Sequence, residues 1–99
     1  MSRGAARTEL ARDDIRKARR WYRSLHPLLE RDFVRSVRTC VDRIVEFPEA
    51  QPLVHPNVRK ALVGRFPYLV LYRYAVGSVV LIAVFHARRD PVELANRLW

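Results

Sequence analysis

The sequence contains a single cysteine and no long apolar run, and each shortage excludes a class of protein. One thiol, Cys40, cannot build an intrachain disulfide framework or a thiolate metal site. Every apolar stretch is far shorter than the roughly 20 residues that span a membrane. The N-terminus also lacks the apolar segment of a secretory signal. We therefore expect a cytoplasmic protein with no membrane segment.

Lysine is also scarce, because Lys17 and Lys60 are the only lysines among 19 cationic side chains. The other cations are arginines, and with ten acidic residues the formal net charge is +9. Arginine favours planar, two-point contacts with phosphate or carboxylate. The composition therefore indicates a nucleic-acid or acidic-protein partner. A genome that encodes arginine by default explains the same excess without any binding role, so both interpretations stay open.

The first half of the chain predicts a helical hairpin within one domain that covers residues 1–99. An apolar stripe at helical spacing predicts a first helix from near Leu10 to about Leu25, with Thr8 placed to cap it. Pro27 ends that pattern and is suited to open the next helix. A second, wider stripe predicts a helix from about Leu28 to Phe47.

The second half predicts a small sheet. The segment from Pro48 to Asn57 holds three prolines and is predicted as a loop. Runs rich in Val, Tyr, Phe and Leu, separated by glycine and proline, then predict an antiparallel meander. Its three strands are Val58 to Val63, Tyr68 to Tyr74, and Val79 to His86. The third run is apolar at nearly every position, so we expect it to be interior and buried on both faces.

The ends of the chain are less patterned. Residues 1–7 carry too few apolar side chains to predict a strand from pattern alone. After Pro91, a short C-terminal helix is predicted from Val92 to about Leu98. The fold class is therefore α+β: a helical hairpin packed on a three-stranded antiparallel meander, followed by a short helix.

A group of polar side chains follows the third strand directly. A buried strand would hold His86, Arg88 and Arg89 in fixed positions. Arg73, on the neighbouring strand, and Arg65, in the turn before it, are expected to join them in one basic patch. Extended guanidinium groups there would bind phosphate or carboxylate on a target.

The roles of these residues allow more than one interpretation. His86 is either a general base, a role that imidazole often takes in catalysis, or a strand-end residue whose ring hydrogen-bonds the following turn. One of Arg88 and Arg89 is expected to contact the target and the other to pair with Asp90. His86 is the candidate for catalysis that the residue types themselves suggest, without a convergent pattern that assigns it a step.

No metal site or cofactor is expected. His26 and His55 each lie beside a proline and lack partners at metal-ligand spacing. Asp13 and Asp14 are expected on a solvated face of the first helix, because adjacent helical side chains do not converge.

Several stretches together resemble the RelE/ParE superfamily of bacterial toxin–antitoxin toxins. They are Trp21-Tyr22, Pro48 after the second helix, Val63-Gly-Arg-Phe-Pro-Tyr-Leu-Val-Leu-Tyr72 and His86-Ala-Arg-Arg-Asp-Pro91, and the resemblance runs from Leu10 to Arg97. It implies a helical hairpin packed against a small antiparallel sheet. The family usually begins with an apolar edge strand, for which Ala5 to Leu10 is the candidate here.

The resemblance also separates two kinds of target. RelE-like members cut messenger RNA in the ribosome. One of their arginines matches Arg88 and a lysine matches Lys60 loosely, so the resemblance adds these two residues to His86 as candidates for catalysis. A second arginine of the family, within the middle strand, corresponds to Leu69, and a catalytic aromatic or histidine falls near Leu94. Leucine offers no acid–base or cationic chemistry at either position. This departure favours ParE-like members, which poison DNA gyrase by binding.

The function implied by the resemblance is the toxin component of a type II toxin–antitoxin system. Its implied partners are a cognate antitoxin, in a possible hetero-oligomer, and DNA gyrase or another topoisomerase. A ribosome-dependent mRNA endonuclease, which would act on the ribosome and mRNA, is the alternative. The third hypothesis is a basic binding protein that has lost toxicity. Whether the chain is an enzyme stays open, with the missing positions favouring a protein that is not one.

Overall fold

The computed structural model describes residues 4–88. The elements in chain order are β1 (Ala6–Arg7), α1 (Glu9–Leu25), α2 (Pro27–Glu46), β2 (Leu53–His55), β3 (Val58–Leu62), β4 (Tyr68–Ala75) and β5 (Ser78–His86). The α+β class and the helical hairpin are confirmed. The sheet differs from the prediction, because it has five strands in the order β1-β5-β4-β3-β2 rather than a three-stranded meander. The helix predicted from Val92 to Leu98 lies outside the described residues.

The two helices begin at side-chain caps and are separated by one residue. Thr8 accepts a hydrogen bond from the backbone N–H of Ala11 at 3.1 Å, as its position predicted. His26 ends α1 and also caps α2, since its Nδ1 accepts from the Leu28 N–H at 3.1 Å while Pro27 occupies the first helical turn. None of the described helices is long and apolar enough to cross a membrane.

The N-terminal strand exists and is parallel to its neighbour, so the sheet is mixed. Ala6 and Arg7 lie opposite Val80 and Leu81 of β5, and the Thr8 N–H continues the pairing by donating to the Leu81 carbonyl at 3.1 Å. This strand is only two residues long, and both residues are exposed. A strand held by backbone bonds to a distant segment, with no apolar alternation of its own, leaves no pattern in the sequence.

Part of the predicted loop is also a strand. β2 pairs antiparallel with β3, with His55 opposite Val58, so that Pro56 and Asn57 form a two-residue turn. Asn57 has a positive φ of 67°, which suits Asn at the third position of a turn with proline at the second. Three prolines within ten residues predicted a loop, but proline is tolerated in an edge strand and its turns because no partner there needs its N–H.

The hairpin between β4 and β5 has the predicted turn and an additional bulge. Gly77 has a φ of 74° and Val76 one of 52°, as a two-residue turn with both central residues in the left-handed region requires. Further along, Leu71 lies opposite Ala83 whereas Tyr72 lies opposite Leu81. One residue of β5, Ile82, is therefore extra, and the bulge changes which side chains of β5 face the helices.

β5 is buried on both faces, as its apolar sequence predicted. On the face covered by α1 and α2, Val79, Leu81 and Val84 join the main core with Val70 and Tyr72 of β4. On the opposite face, Ile82, Ala83 and Phe85 form a second buried cluster with Val58 and Leu71. β5 lies between β1 and β4, so it is an interior strand of the sheet.

Asp14 is not on a solvated face, and that prediction was wrong. Its side chain is on the buried side of α1 and the residue is 8% exposed. The carboxylate Oδ2 accepts a hydrogen bond from the backbone N–H of Val84 at 2.9 Å. β1 ends at Arg7, opposite Leu81, so α1 supplies this acceptor to the part of β5 that extends past the edge strand.

Candidate functional site

The end of β5 and the turn between β3 and β4 form the candidate site. Tyr68, the first residue of β4, lies opposite His86, the last residue of β5, and α1 passes beside them. We call this region the strand-end site. It comprises Asp14, Lys17, Arg65, Tyr68, His86 and Arg88.

Backbone hydrogen bonds fix the two chain segments that enter the site. The Val63 N–H donates to the Tyr68 carbonyl at 3.0 Å and closes the β3–β4 turn, in which Gly64 has a φ of 87°. The Ala87 N–H donates to the Pro67 carbonyl at 2.7 Å and joins the end of β5 to that turn. Arg65 and Arg88 are therefore carried on neighbouring segments at one end of the sheet.

The ring of His86 is oriented by two contacts. Its Nδ1 accepts a hydrogen bond from the Arg88 N–H at 3.1 Å, which is the strand-end interpretation of this residue. Because Nδ1 is the acceptor, the neutral imidazole carries its hydrogen on Nε2. The ring also meets Tyr68 edge to face, with centroids 5.4 Å apart. His86 is thus a positioned donor when neutral.

A small cavity of about 130 Å³ lies between α1 and the strand ends. Asp14 and Lys17 line it from the helix, while Tyr68 and His86 line it from the sheet. Carboxylate, ammonium, phenol and imidazole groups therefore surround a space that admits a few water molecules or one small side chain.

An aromatic cluster supports the site from below. Tyr22 of α1 stacks on Phe33 of α2 at 5.2 Å and meets Phe66 of the β3–β4 turn edge to face at 5.0 Å. Tyr68 packs edge to face on Phe33 at 5.1 Å. Desolvation, and secondly the nearby Tyr68, raise the pKa of Tyr22 above its ordinary value, so its phenol stays protonated near neutral pH. The cluster therefore supports the site by packing and does not supply a group that titrates near neutral pH.

The structure does not gather every predicted residue at this site. Arg73 is near the other end of β4, opposite Val80, about 17 Å along the strand from Tyr68 at 3.4 Å per residue. Lys60 lies opposite Leu71 on β3, which places it on the face away from the helices, whereas His86 is on the helix-covered face. Arg89 lies outside the described residues.

Metal ligation has no support within residues 4–88, where no three His, Cys, Asp or Glu side chains converge. Cys40 lies on the buried face of α2, and desolvation raises the pKa of its thiol, with Arg43 opposing this shift. The thiol is a core group and not an activated nucleophile.

Asp14, Lys17 and Tyr68 are the site residues that the sequence analysis missed. The burial of Asp14 was detectable in the sequence, because Asp14 falls three residues after Ala11 and four before Ala18, on the apolar stripe of α1. Burying an acidic side chain is costly unless it is paired or hydrogen-bonded, so an acidic residue on an apolar stripe indicates a buried hydrogen-bond donor nearby. Nothing in the pattern identified the donor as Val84, 70 residues away.

Comparisons with known proteins agree with this architecture. A structure described as the chromosomal ParDE toxin–antitoxin system from P. aeruginosa is similar to the chain, with a TM-score of 0.64 and 17% sequence identity over 86% of this chain and 98% of that one. At this identity the likeness concerns the fold. No match was found among curated protein sequences. A family model described as the ParE toxin of the type II toxin–antitoxin system, parDE, matches residues 6–91. The chain therefore belongs to the ParE toxin family, the toxin component of type II toxin–antitoxin systems.

Proposed function

We propose that the protein inhibits DNA gyrase or another DNA topoisomerase by binding it, and that it does so without cutting nucleic acid. The observation that carries this proposal is the match to the ParE family model over residues 6–91. The proposed target is a cytoplasmic enzyme, and the expected cytoplasmic location of the protein is part of the same proposal.

The locations of the residues considered for RelE-like catalysis support inhibition by binding rather than by cleavage. Leu69, which takes the position of an arginine in RelE-like members, packs against the second buried cluster beside Leu71 and Phe85. Lys60 is on the same side of the sheet, while His86 is on the other side. A cation and a general base must reach the same phosphodiester to cleave it, and these two side chains are separated by the sheet.

The target contact is proposed at the strand-end site. Arg65 and Arg88 are exposed, and the hydrogen bonds around Pro67 and His86 hold the backbone that carries them. Arginine on a fixed backbone loses less freedom when it binds a carboxylate or phosphate than arginine on a mobile loop. Arg89 follows in the sequence and remains part of the proposed patch, whereas the position of Arg73 at the far end of β4 makes it a separate group.

The antitoxin contact is proposed at the tip of the helical hairpin. Trp21 is 58% exposed, and Leu25, one turn later on the same side of α1, is 55% exposed. Leu28 at the start of α2 is 51% exposed. Large apolar side chains in such a group are typical of a protein–protein contact. We propose that a segment of the cognate antitoxin covers them in a toxin–antitoxin complex.

Supercoiling by purified gyrase in the presence of the full chain tests the proposed target. We expect inhibition that disappears when the cognate antitoxin is added first. Transcript 5′ ends mapped after induction provide the second arm of the experiment. Cleavage within codons at the ribosomal A site would instead establish the ribonuclease alternative. A folded chain that neither inhibits gyrase nor arrests growth would support the hypothesis of a binding protein without toxicity.

A further inference from the structure

Arginines occupy the solvent side of the helical hairpin at regular helical spacing. On α1 they recur at intervals of three and four residues, and on α2 the same intervals appear again. We call this set the arginine face. It consists of Arg12, Arg16, Arg19, Arg20, Arg23, Arg31, Arg35 and Arg38. At 100° per residue, the five on α1 fall within a stripe about 100° wide and the three on α2 within about 60°.

Two adjoining clefts lie on this face. One has a volume of about 330 Å³ and is lined by Arg16, Arg19, Arg20 and Arg23. The other has a volume of about 350 Å³, and Arg19 borders it together with Arg31, Arg35 and Arg38. Because Arg19 belongs to both, the clefts form one continuous basic surface across the two helices.

Glu30, between the helices, shows how this surface binds an anion. Its carboxylate accepts hydrogen bonds from Arg19 at 3.1 Å and from Arg23 at 2.8 and 3.0 Å. The bonds from Arg23, and secondly from Arg19, hold the pKa of Glu30 below its ordinary value. Two guanidinium groups thus already converge on one group of oxygens, in the forked geometry that phosphate also accepts.

Half of the arginines on the arginine face have no acidic partner within residues 4–88. Asp13 pairs with Arg16, and Glu9 lies 3.7 Å from Arg12. Arg20, Arg31, Arg35 and Arg38 are exposed, and they form no ion pair with another residue of the part of the chain that the structure describes. Like charges four residues apart on a helix destabilise it. The arrangement is therefore unfavourable for an isolated helical hairpin.

We propose that the arginine face binds the phosphate backbone of duplex DNA without sequence preference. From Arg12 to Arg23 the row extends about 16 Å along α1, at 1.5 Å per residue. Duplex DNA offers one negative charge per roughly 1.7 Å of its axis, so a row of this length faces several phosphates at once. Such backbone contacts position a protein on DNA and require no base recognition.

The same surface fits a protein partner less well. The side chains that line the clefts include only two apolar ones, Pro27 and Val34. Protein interfaces depend on buried aromatic or aliphatic anchors surrounded by charge. The exposed Trp21 projects about 140° around α1 from Arg16, so it belongs to a different face of the helix. The proposal is also independent of the topoisomerase, since it concerns contact with DNA alone.

Salt dependence of DNA binding by the full chain tests the proposal. The probe is a short, labelled, mixed-sequence duplex, and its anisotropy is followed between about 50 and 200 mM salt. The double variant Arg35→Gln with Arg38→Gln is expected to weaken binding at least about tenfold at low salt. It should also reduce the slope of log K against log salt by about 2, because each lost phosphate contact removes about 0.9.

A matched control removes the same charge elsewhere. Arg7 is exposed on β1, and Arg43 is exposed on α2, about 80° around the helix from Arg35, the nearest arginine of the face. Arg7→Gln with Arg43→Gln should keep the wild-type slope, which separates a defined surface from net charge. A second variant, Arg20→Gln with Arg31→Gln, should reproduce the loss, and unchanged circular dichroism would show that each protein is folded.

Three results would overturn the proposal. The first is binding that does not depend on salt, and the second is an equal loss of affinity in the control and the α2 variant. The third is an acidic polypeptide, tested as polyglutamate, that binds the arginine face while DNA does not. That last result would identify an acidic protein as the partner.

Discussion

The two ends of the β4–β5 hairpin are built in opposite ways. At the strand-end site, Val84 donates to Asp14 of α1 and Ala87 donates to Pro67 of the β3–β4 turn. At the other end, Val76 and Gly77 form a tight turn, and Val76 is fully exposed. Segments distant in the sequence hold β5 up to its last residues at the first end. At the other end the pairing with β1 starts only at Val80, so the turn itself depends on its own two residues. The backbone at the strand-end site is therefore the more firmly fixed of the two, which suits side chains that must contact a target.

The largest effect, on target binding, is expected when two arginines of the strand-end site are replaced. Arg65→Ala with Arg88→Ala should weaken target binding by ~100-fold or more, since each charge-assisted hydrogen bond contributes about 1.5–3 kcal/mol. Growth arrest on induction should be lost while the thermal midpoint stays unchanged. The comparison variant is Arg73→Ala, at the turn end of β4, which should remain toxic. Full toxicity of the folded double variant would show that the strand-end site does not contact the target.

The next largest effect is expected from the bond that connects α1 to the bulge. Asp14→Ala leaves the buried Val84 N–H without its acceptor, which costs about 1–3 kcal/mol of folding free energy. Asp14→Asn keeps an oxygen in place and should cost less. The adjacent Asp13→Ala removes only a surface ion pair with Arg16 and is expected to cost much less than Asp14→Ala. Urea unfolding measures all three, and equal losses for Asp13→Ala and Asp14→Ala would contradict the proposed anchor.

At the other end of the hairpin, one substitution should stabilise the protein. Val76 is β-branched and holds a φ of 52°, a conformation that costs about 1 kcal/mol or more. Asparagine adopts it readily, and Asn-Gly is the preferred pair for this turn. Val76→Asn should therefore raise the free energy of unfolding by about 1 kcal/mol, while Val76→Thr, also β-branched, should not. No gain from asparagine would mean that the turn carries no strain.

The smallest effect concerns the two interpretations of His86. His86→Asn preserves an acceptor for the Arg88 N–H, whereas His86→Ala removes it and should cost about 0.5 kcal/mol. If the ring only orients the turn, the asparagine variant keeps both stability and growth arrest. Loss of growth arrest in a stable asparagine variant would show that the imidazole itself acts on the target.

Much of the fold was predictable because its signals are local. The helical stripes, the cap at Thr8, the proline in the first turn of α2 and the glycine of the β4–β5 turn each depend on residues within a few positions of one another. Helix periodicity and turn chemistry require no knowledge of the partner element. The site was predicted only in outline: His86 and Arg88 were expected at the end of a buried strand, and the structure places Arg65 with them.

The remaining features have no local signal. β1 consists of two exposed residues and exists because β5 offers unpaired backbone. Asp14 is buried because the Val84 N–H needs an acceptor beyond the end of β1. Arg73 was expected beside Arg65, but it lies five residues beyond Tyr68 on β4 and thus at the opposite end of the sheet.

The sequence by itself determined the α+β class, the two amphipathic helices, the basic character and the resemblance to a toxin family. All of these follow from composition, periodicity and short motifs, which neighbouring residues fully specify. Only the tertiary structure decided the number of strands, the bulge at Ile82 and the separation of Lys60 from His86. These depend on strand register, and a shift of one residue moves a side chain to the other face of a sheet.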